Sequence, residues 1–170
     1  GSGSYYAHLL FALSTCESDN RIKRMRQKAF RYLLKTQNAS GFWDDKWHGS
    51  PWYVTSRIVM AFMCNQYRDK TPIKKAMRWI IKTRHSNGLW GFGKGTAEET
   101  SYAIMALLLF HKHITPFDQS IFRQERKKLE ESIDDKQYPE LWIGKALFAE
   151  NAIAEITVLA TLLALYDTEN

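Results

Sequence analysis

Two kinds of apolar pattern alternate along the chain. In the first, apolar residues recur at helical spacing with basic residues between them: Ile22, Met25, Ala29, Phe30, Leu33 and Leu34, then Ile73, Ala76, Met77, Ile80 and Ile81. Each set predicts an amphipathic helix with one buried face. In the second, apolar residues run nearly all round: Trp52-Tyr53-Val54 with Ile58 to Met63, YAIMALLLF at 102–110, and AIAEITVLATLLALY at 152–166. A helix that is apolar on every side is buried on every side or lines a cavity. The chain therefore predicts buried helices at 5–16, 52–67, 97–113 and 150–167, alternating with amphipathic ones at 21–36, 72–84 and 118–133. No strand pattern competes.

Local start signals agree with these elements. Ser50-Pro51, Thr71-Pro72 and Thr115-Pro116 each place a capping side chain before a proline suited to the first helical turn. Thr96 followed by Glu99 has the spacing of a capping box.

The chain also repeats literally. KAFRYLLKTQNASGFW (28–43) sits over KAMRWIIKTRHSNGLW (75–90), an offset of 47 residues, and a third, eroded copy is expected to end at Leu141-Trp142. A repeat of this length built from one helix pair implies a solenoid or a closed ring. Helices buried all round favour the ring. The expected fold is all-α, a partial (α/α) toroid with alternating inner and outer helices.

Composition narrows the class. The 170 residues are 45% hydrophobic, enough for one domain with its own core. Gly1–Ser4 reads as a cloning scar outside the fold, leaving one helical-repeat domain over 5–170. Cys16 and Cys64 are too few for a disulfide framework or a cysteine zinc site, which suggests a reducing, cytoplasmic location. No uninterrupted apolar run is long enough for a transmembrane helix. The net charge of +6 comes from basic residues in 23–35 and 68–84 that interleave with the apolar stripe, so they read as a solvated outer face and not as a nucleic-acid surface. His111 and His113 stand two apart on a helix and point to different faces, a poor metal pair. No metal site is expected.

The first repeat, Lys-Ala-x-x-Tyr-Leu-x-x-x-Gln-x-x-x-Gly-x-Trp, resembles the QW motif of triterpene and class II diterpene cyclases. The second copy matches except that Arg84 replaces the glutamine. Three further segments resemble copalyl-diphosphate-synthase-like cyclases in order and spacing: Asp45 to Tyr53 (DKWHGSPWY), Thr96 to Ala103 (TAEETSYA) and Leu141 to Phe148 (LWIGKALF). The resemblance covers most of residues 5–167. It implies the C-terminal portion of a cyclase β domain, with Gln37, Gly41, Trp43, Gly88 and Trp90 as structural QW positions.

The implied activity is protonation-initiated cyclisation of geranylgeranyl diphosphate to a bicyclic copalyl-type diphosphate, with Mg²⁺ as cofactor. The acid in such enzymes is the middle aspartate of a DxDD motif, kept neutral in a dry site, and aromatic faces stabilise the cation. No DxDD occurs in this chain. The expectation is a fragment inactive by itself, with an isoprenoid diphosphate as substrate of the parent protein and a missing N-terminal β/γ portion, other domains or self-association to complete it. The resemblance makes Trp52, Tyr53, Tyr102, Trp142 and Phe148 candidate cavity-lining aromatics, with ordinary core as the alternative. Lys46, Arg57 and Lys145 are candidate diphosphate ligands. Glu98, Glu99 and His48 are candidate polar groups near the metal-bound diphosphate. For Glu98 and Glu99 the helix N-terminus supplies a sufficient structural reason. Turn hydrogen bonds and a local ion pair do the same for Asp44, Asp45, Lys46 and His48. Competing functions are a non-catalytic helical-repeat module, a degenerate cyclase, and a protein-prenyltransferase-like ring, whose Asp-x-Cys zinc ligands are missing.

Overall fold

The computed structural model describes residues 1–17, 19–135 and 137–167; residues 168–170 of the expected domain lie outside the described residues. Seven α-helices follow in order among the described residues: α1 (Gly3–Ser14), α2 (Asn20–Thr36), α3 (Pro51–Cys64), α4 (Thr71–Lys82), α5 (Ala97–His113), α6 (Arg123–Asp135) and α7 (Asn151–Asp167). The odd-numbered helices pack in a row, α1 on α3, α3 on α5 and α5 on α7. The even-numbered ones form a second layer, with α2 on α1, α4 on α3 and α5, and α6 on α5 and α7. This is the alternating inner and outer arrangement that the two apolar patterns predict. The all-round apolar α3 and α5 are buried along most of their length, whereas α2 buries only the stripe carrying Ala29 and Leu33.

The repeat is reproduced atom by atom at its turn. Trp43 Nε1 donates to the Leu33 carbonyl, and Trp90 Nε1 to the Ile80 carbonyl, each at 2.7 Å. Their backbone amides donate to Thr55 Oγ1 and Thr100 Oγ1, each at 3.0 Å. Each indole thus ties the end of an outer helix to the following inner helix, with its ring fully in the core and its only polar atom satisfied. Gly41 and Gly88 make the turn with φ of +112° and +90°. A Cβ on Gly41 would sit 2.5 Å from the Lys75 carbonyl oxygen, so the turn packs backbone against α4.

Several boundaries differ from expectation. Ser2, placed outside the fold by sequence, caps α1 by accepting from the Tyr5 amide, and Gly3 and Ser4 are buried. Ser50 and Pro51 do open α3, though without a side-chain cap bond. At α4, Lys70 holds the cap position and Thr71 is the first helical residue; Asp69 Oδ1 accepts its amide at 2.9 Å. Thr115-Pro116 starts no helix. Phe117 N–H instead donates to His111 Nδ1 at 2.8 Å, and a 3₁₀ turn at Gln119–Phe122 delays α6 to Arg123 in place of the expected 118.

The second correction concerns strands. Trp142–Ile143 (β1) and Leu147–Phe148 (β2) form a two-residue antiparallel hairpin, Trp142 opposite Phe148. This hairpin docks on the loop before α3, where Gly49 N–H donates to the Leu141 carbonyl at 2.6 Å and Ile143 N–H to the Trp47 carbonyl at 3.0 Å. Trp142 is therefore no third QW tryptophan; its neighbour across the bridge is His48. Among the described residues, no helix is long and apolar enough to cross a membrane.

Candidate active site

The docked hairpin closes one end of the inner layer over a compact group from four segments: His48 on the loop, Tyr53 and Arg57 on α3, Glu98 and Tyr102 on α5, and Trp142 on β1. Tyr53 and Arg57 share a face of α3 because they are four residues apart, and Glu98 and Tyr102 share a face of α5 for the same reason. The His48 ring stacks on Tyr53 with centroids 4.2 Å apart and planes at 19°. Trp142 stands edge-on to both, at 4.8 Å from His48 and 5.3 Å from Tyr53. Tyr102 meets Tyr53 edge-on at 5.2 Å. The Arg57 guanidinium lies 5.4 Å from the Tyr53 centroid and 5.7 Å from that of Tyr102.

Glu98 is the polar centre of this group and is buried. The Tyr102 hydroxyl donates to Glu98 Oε1 at 2.9 Å, and His48 Nε2 faces the same oxygen at 3.6 Å. The tautomer of His48 follows from its other nitrogen. Nδ1 accepts the Ser50 amide at 3.0 Å, so the ring proton is carried by Nε2, and the N–H points at Glu98. Burial, with the Glu98 carboxylate beside it, pushes the Tyr102 phenol far above its ordinary 10.0. Burial also raises Tyr53, with Arg57 opposing. His8 is lowered, first by burial and then by Arg57.

The neighbouring acid does different work. Glu99 closes the capping box: its amide donates to Thr96 Oγ1 at 3.1 Å, while its Oε2 accepts from Thr96 Oγ1 and the Phe92 amide, each at 3.0 Å. Burial raises its carboxyl above the ordinary 4.5. The two adjacent glutamates, equivalent in sequence, thus separate into a structural cap and a group on the inner face.

Five of the sequence candidates converge here: His48, Tyr53, Arg57, Glu98 and Tyr102, with Trp142 as a sixth. The others lie apart. Trp52 turns away from its neighbour Tyr53, stacking on Trp79 of α4 at 5.1 Å and donating from Nε1 to Thr83 Oγ1 at 3.3 Å. Phe148 is 40% exposed on β2 and covers the hairpin turn at Gly144. Lys46 is exposed with Nζ 4.8 Å over the Trp47 ring, and Lys145 is exposed in the hairpin turn. The local ion pair expected in the 44–48 turn is absent among the described residues; Asp45 Oδ1 accepts instead from the Ser4 amide at 3.4 Å. Tyr138, which the sequence did not single out, has a half-buried phenol raised by burial and by the charges of Glu155 and Glu98. It sits in an irregular stretch between α6 and β1, where no periodicity marks it. Among the described residues no three His, Cys, Asp or Glu side chains cluster as a metal site.

Residues 3–116 match the family described as the squalene-hopene cyclase C-terminal domain. Among curated proteins, the chain is 34% identical over 182 residues to a labda-7,13-dienyl diphosphate synthase of Streptomyces clavuligerus, covering 95% of this chain and 30% of that protein. It is 33% identical over 171 residues to a copalyl diphosphate synthase of Streptomyces cyslabdanicus, covering 95% of this chain and 32% of that protein. The chain thus spans about a third of the length of the curated relatives it matches. Among solved structures, it superposes on the ent-copalyl diphosphate synthase from Streptomyces platensis with TM-score 0.71 and 27% identity, covering 96% of this chain and 33% of that one. A type II terpene cyclase from Scytonema shares the fold at TM-score 0.68 and 16% identity, covering 97% of this chain and 54% of that one. The QW turns, the row of inner helices and these matches together place the chain in the squalene-hopene cyclase C-terminal domain family, as a class II terpene cyclase-like domain.

Proposed function

We propose that this chain supplies the inner aromatic wall of a class II diterpene cyclase that converts geranylgeranyl diphosphate to a bicyclic copalyl-type diphosphate. The carrying observation is the group of buried Tyr53 and Tyr102 on the inner helices and partly buried Trp142 on the hairpin, packed around His48. Three electron-rich rings in a dry setting stabilise positive charge that water would otherwise capture. Arg57, beside the same rings, is the candidate to meet the diphosphate, with Lys46 and Lys145 drawing the anion in from the surface. The reaction begins elsewhere: the initiating acid is a DxDD aspartate, and this sequence has none. In this reading the acid comes from a partner segment of the β/γ portion, and the chain alone does not turn over. Mg²⁺ accompanies the diphosphate as its counter-ion; the described residues offer no three-ligand cluster for it, so no step here runs through the metal.

The test compares two preparations incubated with geranylgeranyl diphosphate and Mg²⁺, with products dephosphorylated and identified by mass spectrometry. The chain alone yields no bicyclic product. The polypeptide joining this chain to a DxDD-bearing segment yields a bicyclic diphosphate. Turnover by the chain alone at ordinary enzyme rates (roughly 1–1000 s⁻¹) overturns the placement of the acid; no product from the joined polypeptide overturns the activity.

A further inference from the structure

We propose that Glu98 is the proton acceptor that ends the cyclisation, with His48 as the residue that positions it; the inference rests on the cyclase reading above.

Four observations carry it. First, Glu98 makes none of the capping bonds of its own helix. Glu99 closes the capping box with Thr96 and takes the Phe92 amide, leaving Glu98 turned to the inner face. Second, the carboxylate is buried, and the side chains that face its Oε1 are the Tyr102 hydroxyl and the His48 ring. His48 is held as the neutral Nε2–H tautomer by the Ser50 amide on Nδ1, so it offers Glu98 a dipole and not a full charge. The Arg57 guanidinium lies against the faces of Tyr53 and Tyr102. Third, the Glu98 carboxylate, with about four acceptor positions, takes one hydrogen bond at Oε1, from the Tyr102 hydroxyl at 2.9 Å, while His48 Nε2 faces the same oxygen at 3.6 Å, beyond hydrogen-bond reach. Fourth, three buried polar atoms of this group have no hydrogen-bond partner: His48 Nε2, Trp142 Nε1 and Arg57 Nε. Orphaned polar atoms concentrated at one place mark a site that binds something.

The step balances within the chain. A C–H bond next to the final cationic carbon breaks, and its electron pair forms the alkene. The proton goes to Glu98, which becomes a carboxylic acid and later releases it to solvent. His48 cannot take this proton readily, because the nitrogen lone pair it would need is occupied by the Ser50 amide. Its task is to fix the carboxylate against the aromatic wall.

The experiment uses the joined polypeptide described above and its Glu98→Gln variant, which keeps an oxygen for the Tyr102 hydroxyl but removes the basic carboxylate. The expected result is a fall of about 100-fold or more in formation of the diene diphosphate. With the base gone, water captures the persisting cation, so a hydroxylated bicyclic diphosphate appears as well. Glu98→Asp restores part of the diene. A Glu98→Gln variant giving the same diene within twofold of the parent rate overturns the proposal while leaving the cyclase reading intact. A parent that makes no bicyclic product removes both. A second measurement needs no turnover: the ¹⁵N shifts of His48 in this chain at neutral pH. The neutral Nε2–H tautomer is expected, and a doubly protonated ring, which would neutralise Glu98, overturns the proposal.

Discussion

Arg84 bonds the buried carboxylate of Glu125 where Gln37, its counterpart in the first repeat, bonds a backbone carbonyl. Gln37 Nε2 donates to the Gly41 carbonyl at 2.8 Å and to the Pro72 carbonyl at 2.9 Å, tying its own turn to the start of the next outer helix. Arg84 Nε keeps the first bond, to the Gly88 carbonyl at 3.3 Å, and reaches Glu125 Oε1 at 3.1 Å, again near the start of the next outer helix. Arg84 in place of the glutamine therefore preserves the mechanical task of the motif with different chemistry. Arg84 also reaches backbone just before α6, its Nη2 donating to the Ile121 carbonyl at 3.5 Å.

That pair predicts a stability signature. Arg84→Gln leaves Glu125, which is 0% exposed, without its cation. Removing one partner of a fully buried pair costs about 3–5 kcal/mol. Arg84 is 35% exposed and partly screened, so a loss of about 2 kcal/mol is expected. Adding Glu125→Gln recovers part of it, because the orphaned charge is gone. Urea unfolding of the two singles and the double mutant checks this; strictly additive losses would show that the residues do not interact.

The glycines of the turns separate into two classes. Gly41→Ala combines φ of +112° with a Cβ 2.5 Å from the Lys75 carbonyl oxygen, on backbone that cannot move without shifting α4. Its expected cost is about 3 kcal/mol or more. Gly93→Ala, with φ of +62° and open space around the Cβ, carries only the left-handed backbone penalty of about 1 kcal/mol. Thermal unfolding ranks them, and equal shifts would mean that the close approach to α4 does not matter.

The raised phenols set an alkaline limit. The unfolded chain releases the Tyr53 and Tyr102 protons near pH 10.0, while the folded chain holds them. Their share of stability is therefore complete below pH 10 and is lost as pH rises beyond it. Tyr102→Phe flattens this alkaline limb, even though loss of the bond to Glu98 lowers the whole curve by about 1–2 kcal/mol. Glu99 has the same sign at the acid end. Its folded value lies above 4.5, so stability falls as pH rises from there through the raised value, and Glu99→Gln removes that slope. Urea melts across pH measure both slopes; a Tyr102→Phe curve parallel to that of the parent would contradict the assignment.

What the sequence made legible was the part governed by local rules. The outer helices, the paired Trp43 and Trp90 and the capping box at Thr96 depend on residues within a few positions of one another. The site was only half legible, for two physical reasons. On a helix apolar all round, adjacent Trp52 and Tyr53 point about 100° apart, and nothing in the pattern says which one faces inward. The hairpin holding Trp142 has two-residue strands, too short for alternation to register, and it is fixed by pairing with a loop nearly 100 residues away. The partnership of His48 with Glu98 and Trp142 exists only after that closure.

The last inner helix predicts association. Ile156 and Leu163 on α7 are each 66% exposed, with Leu159 at 41% and Tyr166 at 46% near them. Positions 156, 159, 163 and 166 are three or four apart, so they lie along one side of the helix, opposite the buried Ala154, Val158, Thr161 and Leu165. An uninterrupted apolar stripe of this kind is uncommon on a lone monomer and drives self-association. The chain alone is expected to show a concentration-dependent rise in sedimentation coefficient between about 1 and 100 μM, a range matching roughly micromolar contacts. The double substitution Ile156→Lys with Leu163→Glu, which alters only exposed positions, restores a monomer without lowering the unfolding midpoint. A parent chain that stays monomeric across that range would show that this stripe does not drive association, whatever its exposure.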